Sequence, residues 1–92
     1  MEFEYDPAKS LSNKDKHGID FVEARSLWDD ERRIEAPARS VGEARFVTIG
    51  KIGARIWTAV WTPRGGIVRL ISVRRARDGE VKAYGSQQDD HR

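Results

Sequence analysis

The sequence predicts an α+β protein in which an antiparallel β-sheet of about four strands packs against two N-terminal helices, followed by a short C-terminal helix. Two observations carry this prediction. In the first third of the chain, apolar residues recur at the three- and four-residue spacing of helices, behind two N-capping signals. From Arg45 onward they occupy every second position, and turns rich in Gly and Pro separate the runs as in a β-meander.

Composition sets limits on the class of protein. The chain has 92 residues, enough for one small domain, and we expect residues 1–92 to form it. There is no cysteine and the two histidines are far apart, so we expect no disulfide, no metal site and no cofactor. No apolar run approaches the roughly 20 residues that span a bilayer, and the acidic start MEFEYD does not resemble a signal peptide. We therefore expect a cytoplasmic protein without a membrane partner.

Two helices are predicted near the N-terminus. Asp6-Pro7 is typical of a helix start, because Asp accepts hydrogen bonds from exposed N–H groups and Pro lacks the N–H that would have no partner there. This helix should run to about Lys16 and end at Gly18. Asp20 and Glu23 have capping-box spacing and open the second helix. Its predicted buried stripe is Phe21, Ala24, Leu27 and Trp28.

The strands are predicted from alternation. Residues 2–5 and 32–35 are expected to form short strands, and three longer strands follow from Arg45. In the second of these, Trp57 and Trp61 share one face, where they either fill the core beneath the helices or form a stacking platform for bases. A short helix is predicted over residues 80–88, although Gly85 disfavours it. Strict alternation in the third long strand sets Val68, Leu70, Ser72 and Arg74 against Arg69, Ile71, Val73 and Arg75.

Positive charge is concentrated in the middle of the chain. From Arg45 to Arg77 there are eight Lys and Arg and no Asp or Glu, so the formal net charge of +2 conceals +8 in this block and −6 in the flanks. Such a block suits a polyanion, because guanidinium groups pair bidentately with phosphate and the summed charge speeds encounter. With no carboxylate inside this block, the arginines of residues 67–77 are expected to face a phosphate unpaired.

Two sections of the chain resemble one known family. FEYDPAKSLSNKDKHGIDFVEARSLWDD is similar to the opening of the BrnT toxins, whose pattern is close to F-E-W-D-P-x-K…N…K-H-G-[IV]-x-F-x-E-A…D. The sections EARFVTIG and RLISVRRA, followed by Glu80 and Tyr84, are similar to the second half of the same family. The matching sections occur in the family's order, which makes the resemblance more specific than any single motif.

The resemblance implies a RelE-like fold and the ribonuclease activity of the toxin half of a toxin–antitoxin pair. The resemblance also implies that RNA is the substrate and that the toxin inhibits translation. The implied protein partner is a BrnA-like antitoxin with a ribbon-helix-helix part. Through that antitoxin the complex would bind operator DNA and repress its own transcription.

Candidate catalytic residues follow from what metal-independent RNA cleavage requires. The 2′-hydroxyl attacks its own phosphate, which needs a proton acceptor, positive charge near the phosphoryl oxygens and a proton donor for the leaving oxygen. Arginine supplies only the charge, because it stays protonated. The candidates for a phosphate clamp are Arg69, Arg74 and Arg75. Alternation sets Arg74 beside Ser72 and leaves the other two arginines on the opposite face, unless a β-bulge re-aims one of them.

The remaining candidates each have a structural alternative. His17 is the natural proton-transfer group, because histidine changes charge near neutral pH, but a helix-capping role fits its position as well. Tyr84 is a candidate to orient substrate or donate a proton, and a core tyrosine is the alternative. Lys16 is a candidate phosphate contact, or else an exposed lysine at a helix end. The predicted RNA-binding residues are Lys16, Arg45, Arg55 and Arg77.

Two other functions fit the same charges. A non-catalytic nucleic-acid-binding module needs only the basic residues and the tryptophans. A protein-interaction domain would use the basic surface to dock an acidic partner. Cleavage of RNA by the purified protein distinguishes the ribonuclease from both.

Overall fold

The computed structural model of the chain describes residues 1–88, and these residues confirm the predicted α+β class. Helices come first, a sheet follows and a helix ends the described chain. In order, the elements are β1 (Phe3–Glu4), α1 (Pro7–His17), α2 (Phe21–Ala24), a 3-10 helix (Arg25–Asp29), β2 (Ile34–Ala38), β3 (Arg45–Ile52), β4 (Arg55–Arg64), β5 (Ile67–Arg75) and α3 (Asp78–Gln88).

The strands form one sheet in the order β1-β5-β4-β3-β2. Strands β2 to β5 make the predicted antiparallel meander, whereas β1 pairs in parallel with β5. The sheet therefore has five strands, whereas about four were predicted, because both short segments join it as edge strands. β2 begins two residues later than expected and includes Pro37, which an edge strand accommodates because its outward side needs no N–H donor.

Both N-terminal helices start where the capping residues predicted. The Asp6 carboxylate accepts the N–H of Ala8 at 2.9 Å, and α1 ends at Gly18, whose φ of 82° is left-handed. Asp20 and Glu23 form a capping box with bonds of 2.7 and 2.9 Å. The second helix is short, since after α2 the chain tightens into the 3-10 helix. Within residues 1–88, no helix is long and apolar enough to cross a membrane.

The core lies between these helices and one face of the sheet. The predicted stripe of the second helix is buried, and the Trp28 ring meets the rings of Phe3 and Trp61 edge-on at 5.0 and 6.1 Å. Trp57 is buried in the same cluster. Trp61 packs against this core cluster and donates its indole N–H to the Thr48 hydroxyl at 2.8 Å. The two tryptophans of β4 therefore fill the core, which is the first of the two alternatives predicted for them.

A β-bulge in β5 changes which residues share a face. Val60 pairs with Ser72 and the next residue of β4, Trp61, pairs with Leu70, so Ile71 is an extra residue in β5. The strict alternation expected for this strand is therefore wrong beyond Leu70. The physical reason is burial, because Leu70 and Val73 can both face the core only when one residue is added between them.

Candidate functional site

The bulge places three of the predicted site residues on one face of the sheet, called here the outer face, opposite the face that carries the core cluster. Arg69, Ser72 and Arg74 pair with Thr62, Val60 and Thr58, which alternate along one face of β4. Arg75 pairs with Trp57 and lies on the opposite face, where its guanidinium carbon is 5.7 Å from the centre of the Trp57 ring. The grouping of Arg74 with Ser72 is thus confirmed, and Arg69 joins them.

Arg74 is held by a carboxylate. Its two terminal nitrogens donate to the two oxygens of Glu80 at 2.7 and 2.9 Å, and the Thr58 hydroxyl donates to the same group at 2.9 Å. Hydrogen bonding by Arg74, helped by the N–H of Arg77 and by Thr58, outweighs burial and lowers the pKa of Glu80 to about 2. The same contact raises the pKa of Arg74, which stays charged.

Arg69 is paired as well. Its guanidinium donates to Glu4 at 2.9 Å, and Arg64 approaches the same carboxylate at 4.0 Å. The expectation that the arginines of β5 have no carboxylate partner is therefore wrong for Arg69 and Arg74. For Arg69 the reason is that β1 pairs with β5 in a register that sets Glu4 beside it, although 65 residues separate them in sequence. For Arg74 the partner is Glu80, which lies six residues later in α3.

The Tyr84 hydroxyl takes part in a structural contact. Tyr84 is buried and donates to the Asp30 carboxylate at 2.6 Å. The backbone N–H groups of Lys51 and Arg32 donate to the same carboxylate at 2.8 and 2.9 Å. Burial opposes ionisation of Asp30, but these three hydrogen bonds outweigh it and lower its pKa. Tyr84 thus ties α3 to β3 and to the chain after the 3-10 helix.

A polar pocket of about 260 Å³ lies between α1 and β5 and is called here the α1–β5 pocket. Helix α1 contributes five lining residues at the i, i+3, i+4, i+7, i+8 spacing of one helical face, and β5 contributes the bulged residue and its neighbour. The lining residues are Lys9, Ser12, Asn13, Lys16, His17, Ile71 and Ser72.

Asn13 holds the two walls of this pocket together. Its amide nitrogen donates to the carbonyls of Ile19 and Val73 at 2.8 and 2.9 Å, and its amide oxygen accepts the N–H of Val73 at 3.1 Å. Asn13 therefore pairs with β5 as a neighbouring strand would, at an edge that β1 is too short to cover. Ser10 supports the same packing, since its hydroxyl accepts the N–H of Phe21 at 2.9 Å.

The charge of the α1–β5 pocket suits an anion. Two lysines and a histidine line it, and none of its lining residues is acidic. The third lysine of this part of α1, Lys14, belongs to a different face, where it donates to Glu23 at 2.8 Å. That hydrogen bond raises the pKa of Lys14. Lysine ammonium groups, serine hydroxyls and an imidazole together can bind a phosphate and transfer a proton.

The structure brings some predicted site residues together and separates others. Lys16, His17 and Ser72 meet in the pocket, beside Lys9 and Ser12, which were not predicted. Their helical spacing in the sequence could have identified both, because Lys9 and Ser12 lie two turns and one turn before Lys16 on its face. The remaining candidates lie outside the pocket lining, namely Arg45, Arg55, Arg69, Arg74, Arg75, Arg77 and Tyr84.

Arg45 and Arg55 cannot serve a single phosphate. Arg45 is the first residue of β3, and Arg55 pairs with Ile52 at the other end of that strand. At about 3.3 Å per residue, the seven-residue separation from Arg45 to Ile52 is about 23 Å. The two residues therefore mark opposite ends of the sheet.

A second pocket, also of about 260 Å³, lies between β1 and the helices. Met1, Phe3 and Val22 line it with a few polar residues, and it contains neither a lysine nor a histidine. Within residues 1–88, no three His, Asp or Glu side chains cluster as metal ligands.

The fold and the pocket define a small basic α+β protein with a polar cleft for an anion beside an arginine-bearing sheet. Comparison with known families is more specific. The model of the BrnT family, the ribonuclease toxin of type II toxin–antitoxin systems, matches residues 5–80. The chain therefore belongs to the BrnT family, as the resemblance of its motifs predicted. A search of the curated proteins finds no match.

Proposed function

We propose that this BrnT-family chain cleaves RNA in the α1–β5 pocket by attack of a 2′-hydroxyl on the adjacent phosphate, without a metal ion. The observation that carries this proposal is the pocket itself, which combines two lysines, two serines and His17. Histidine is the side chain best suited to proton transfer at neutral pH, and lysines stabilise charge on a phosphate.

The pocket residues divide the chemistry between them. His17 accepts the proton of the 2′-hydroxyl while the new bond from the 2′-oxygen to phosphorus forms. Lys9 and Lys16 stabilise the negative charge on the phosphoryl oxygens, and the hydroxyls of Ser12 and Ser72 donate hydrogen bonds to them. The bond from phosphorus to the 5′-oxygen breaks, and that oxygen takes up a proton from a water molecule as it leaves. The products are a 2′,3′-cyclic phosphate and a 5′-hydroxyl.

The arginines of the outer face have a different role in this proposal. Arg69 and Arg74 are already paired with Glu4 and Glu80, so neither is a free phosphate clamp. They hold β1 and the start of α3 against β5, next to Ser72. The clamp role first expected of these arginines passes to the lysines of α1.

Cleavage assays with single substitutions on α1 test the proposal. Purified protein is incubated with RNA in EDTA, and initial rates are compared for His17→Asn, Lys9→Gln and Lys16→Gln. Loss of a general base is expected to slow cleavage by about 100-fold or more, and loss of one positioned cation by about 10- to 100-fold. Lys14→Gln is the matched control, because it removes a lysine from the same helix but outside the pocket. Full activity of His17→Asn, or an equal loss in Lys14→Gln, contradicts the proposal.

The toxin family implies an antitoxin, and we propose that it is BrnA-like. By covering the α1–β5 pocket it would exclude RNA, and its ribbon-helix-helix part would bring the complex to operator DNA for autoregulation. The toxin would act in the cytoplasm and inhibit translation by destroying RNA. Co-expression with the product of a neighbouring short gene tests this pairing, since growth arrest by the toxin alone should be relieved and the two proteins should co-purify.

One observation favours a second candidate, RNA binding without cleavage. The ion pairs of Arg69 and Arg74 reduce the positive charge available to a transition state on the outer face. In that case Lys16→Gln weakens RNA binding, but no fragments form at any protein concentration. The assay in EDTA separates the two candidates directly.

A further inference from the structure

We propose that RNA on one side of the scissile phosphate is held by a second basic surface at the end of the sheet, formed by Arg55, Arg75 and Arg77. This surface is called here the sheet-end patch. The inference rests on the proposed function for the position of the scissile phosphate in the α1–β5 pocket. It adds the direction in which the RNA leaves the pocket, which is toward the C-terminal end of β5.

The strand pairing assembles the patch. Arg75 ends β5 and pairs with Trp57, two residues after Arg55 in β4. The N–H of Ala76 donates to the carbonyl of Ile56 at 3.0 Å and continues this pairing by one residue. Arg77 is thereby set opposite Arg55. All three arginines are exposed, although 22 residues of sequence separate the first from the last.

The ion pairs distinguish this patch from the other arginines of β4 and β5. Arg64, Arg69 and Arg74 each have a carboxylate within ion-pair distance. In the part of the chain that the structure describes, the arginines of the sheet-end patch have none. An unpaired guanidinium can bind a phosphate directly, whereas a paired one must first lose its carboxylate. Among the arginines from Arg55 to Arg77, those of the patch are therefore the most available to a polyanion.

The patch lies within reach of an RNA bound in the pocket. Ser72 lines the pocket, and at about 3.3 Å per residue Arg75 lies roughly 10 Å further along the strand and Arg77 roughly 17 Å. A few nucleotides of single-stranded RNA span this distance. The Arg75 guanidinium carbon is 5.7 Å from the centre of the Trp57 ring, and an exposed guanidinium offers a plane on which a base can stack.

An RNA fits the patch better than an acidic protein segment does. The pocket and the patch are linked by a single strand, so a chain with a regularly repeating charge can occupy both. Three exposed guanidinium groups suit phosphate contacts, and their exposure makes binding strongly dependent on salt. An acidic antitoxin segment is the alternative occupant that the experiments below exclude or identify.

The first experiment measures binding without cleavage. The probe is a single-stranded 2′-O-methyl oligonucleotide, which lacks the attacking hydroxyl, and affinity is followed by fluorescence anisotropy over a range of salt concentrations. Arg55→Gln with Arg77→Gln should weaken binding on the order of 10-fold and lower the log–log salt slope by about 1.4, at 0.7 per lost phosphate contact. Arg25→Gln with Arg39→Gln is the matched control, since it removes two exposed charges elsewhere and should change neither value.

The second experiment measures cleavage as a function of substrate length. For a long oligonucleotide, the patch double variant should raise KM on the order of 10-fold with little change in kcat. For a dinucleotide, which occupies the pocket alone, both constants should match those of the unsubstituted protein. Thermal unfolding of both double variants should match the parent, because all four side chains are exposed.

The outcomes separate this inference from the proposed function. Equal binding losses in the patch and control variants, or a patch variant with unchanged binding, overturn the inference while leaving the pocket assignment intact. A patch variant that binds RNA normally but no longer co-purifies with the antitoxin also overturns it, and assigns the patch to a protein partner. Absence of cleavage by the parent overturns the proposed function, and the 2′-O-methyl probe still decides whether the patch holds RNA.

Discussion

At the scale of single residues, Glu80 shows how one carboxylate can fix a surface. It binds the Arg74 guanidinium, the Thr58 hydroxyl and the N–H of Arg77, and so joins β4, β5 and the start of α3. Its pKa of about 2 lies below the ordinary value of 4.5. The charged form is therefore favoured by folding. The resulting stability is present above the unfolded pKa and is lost as the pH falls from about 4.5 toward 2.

Glu80→Gln should accordingly destabilise the protein on the order of 2 kcal/mol at neutral pH and by progressively less in acid. The difference shrinks because a protonated glutamic acid and a glutamine carry the same charge. Urea unfolding of both proteins between about pH 7 and pH 2 measures it. Glu31→Gln, which removes an exposed carboxylate, is the control, and a difference that does not change with pH would contradict the assignment.

Two glycines offer a residue-level test of packing. A Cβ at Gly85, inside α3, would meet nothing within 4 Å, so Gly85→Ala should stabilise the protein by about 0.5–1 kcal/mol through helix propensity. A Cβ at Gly50 would lie 3.1 Å from Leu27 Cδ2 and 3.4 Å from the Leu27 carbonyl oxygen. Gly50→Ala should therefore cost about 1–3 kcal/mol. Thermal unfolding should shift in opposite directions for the two variants, and shifts of the same sign would contradict this packing.

At the scale of elements, α2 and α1 differ in how far their packing can be predicted. The apolar stripe from Phe21 to Trp28 predicts the buried face of α2 and the 3-10 helix, because hydrophobic burial follows helical spacing. Helix α1 has no such stripe, since its buried residues are Ser10 and Asn13 and its Leu11 is 74% exposed. A polar buried face gives no hydrophobic pattern, which is why the packing of α1 against β5 could not be predicted from apolar spacing.

Asn13→Asp tests the docking of α1. The substitution keeps the shape of the side chain but replaces two donated hydrogen bonds with a carboxylate facing the carbonyls of Ile19 and Val73. We expect a loss of about 2–4 kcal/mol in the free energy of unfolding, measured in urea. Leu11→Asp adds the same charge to an exposed position of the same helix and should cost much less. Equal losses of unfolding free energy in the two variants would show that added charge on α1, rather than loss of the Asn13 hydrogen bonds to β5, lowers the stability.

At the scale of the whole molecule, the basic residues divide into two groups. Some neutralise carboxylates and hold the sheet edges and α3, as Arg69 and Arg74 do. Others, such as Lys9 and Lys16, line a pocket without an acidic residue. When RNA binds, counterions are released from those phosphates that contact Lys or Arg side chains of the protein. The lysines of the second group, together with the unpaired arginines of the sheet-end patch, should therefore determine the salt dependence of binding.

The predicted consequence is a difference between two double variants of equal charge. Lys9→Gln with Lys16→Gln should lower the slope of log affinity against log salt by about 1.4 for single-stranded RNA. Arg69→Gln with Arg74→Gln should leave the slope nearly unchanged but lower the stability, because Glu4 and Glu80 lose their partners. Anisotropy titrations with a 2′-O-methyl oligonucleotide measure the slopes. A larger change of slope in the arginine variant would show that Arg69 and Arg74, rather than the lysines, contact the phosphates.

Local chemistry along the chain was enough to decide the α+β class, the helix starts at Asp6 and Asp20, the turn at Gly18 and the family. Each depends on residues within one or two turns of one another, or on motifs read in order. The β-bulge at Ile71, the pairing of Arg69 with Glu4 and the pocket between α1 and β5 were decided only by the tertiary structure. They depend on contacts between residues far apart in the chain, and a neighbour in space leaves no periodic signal in sequence.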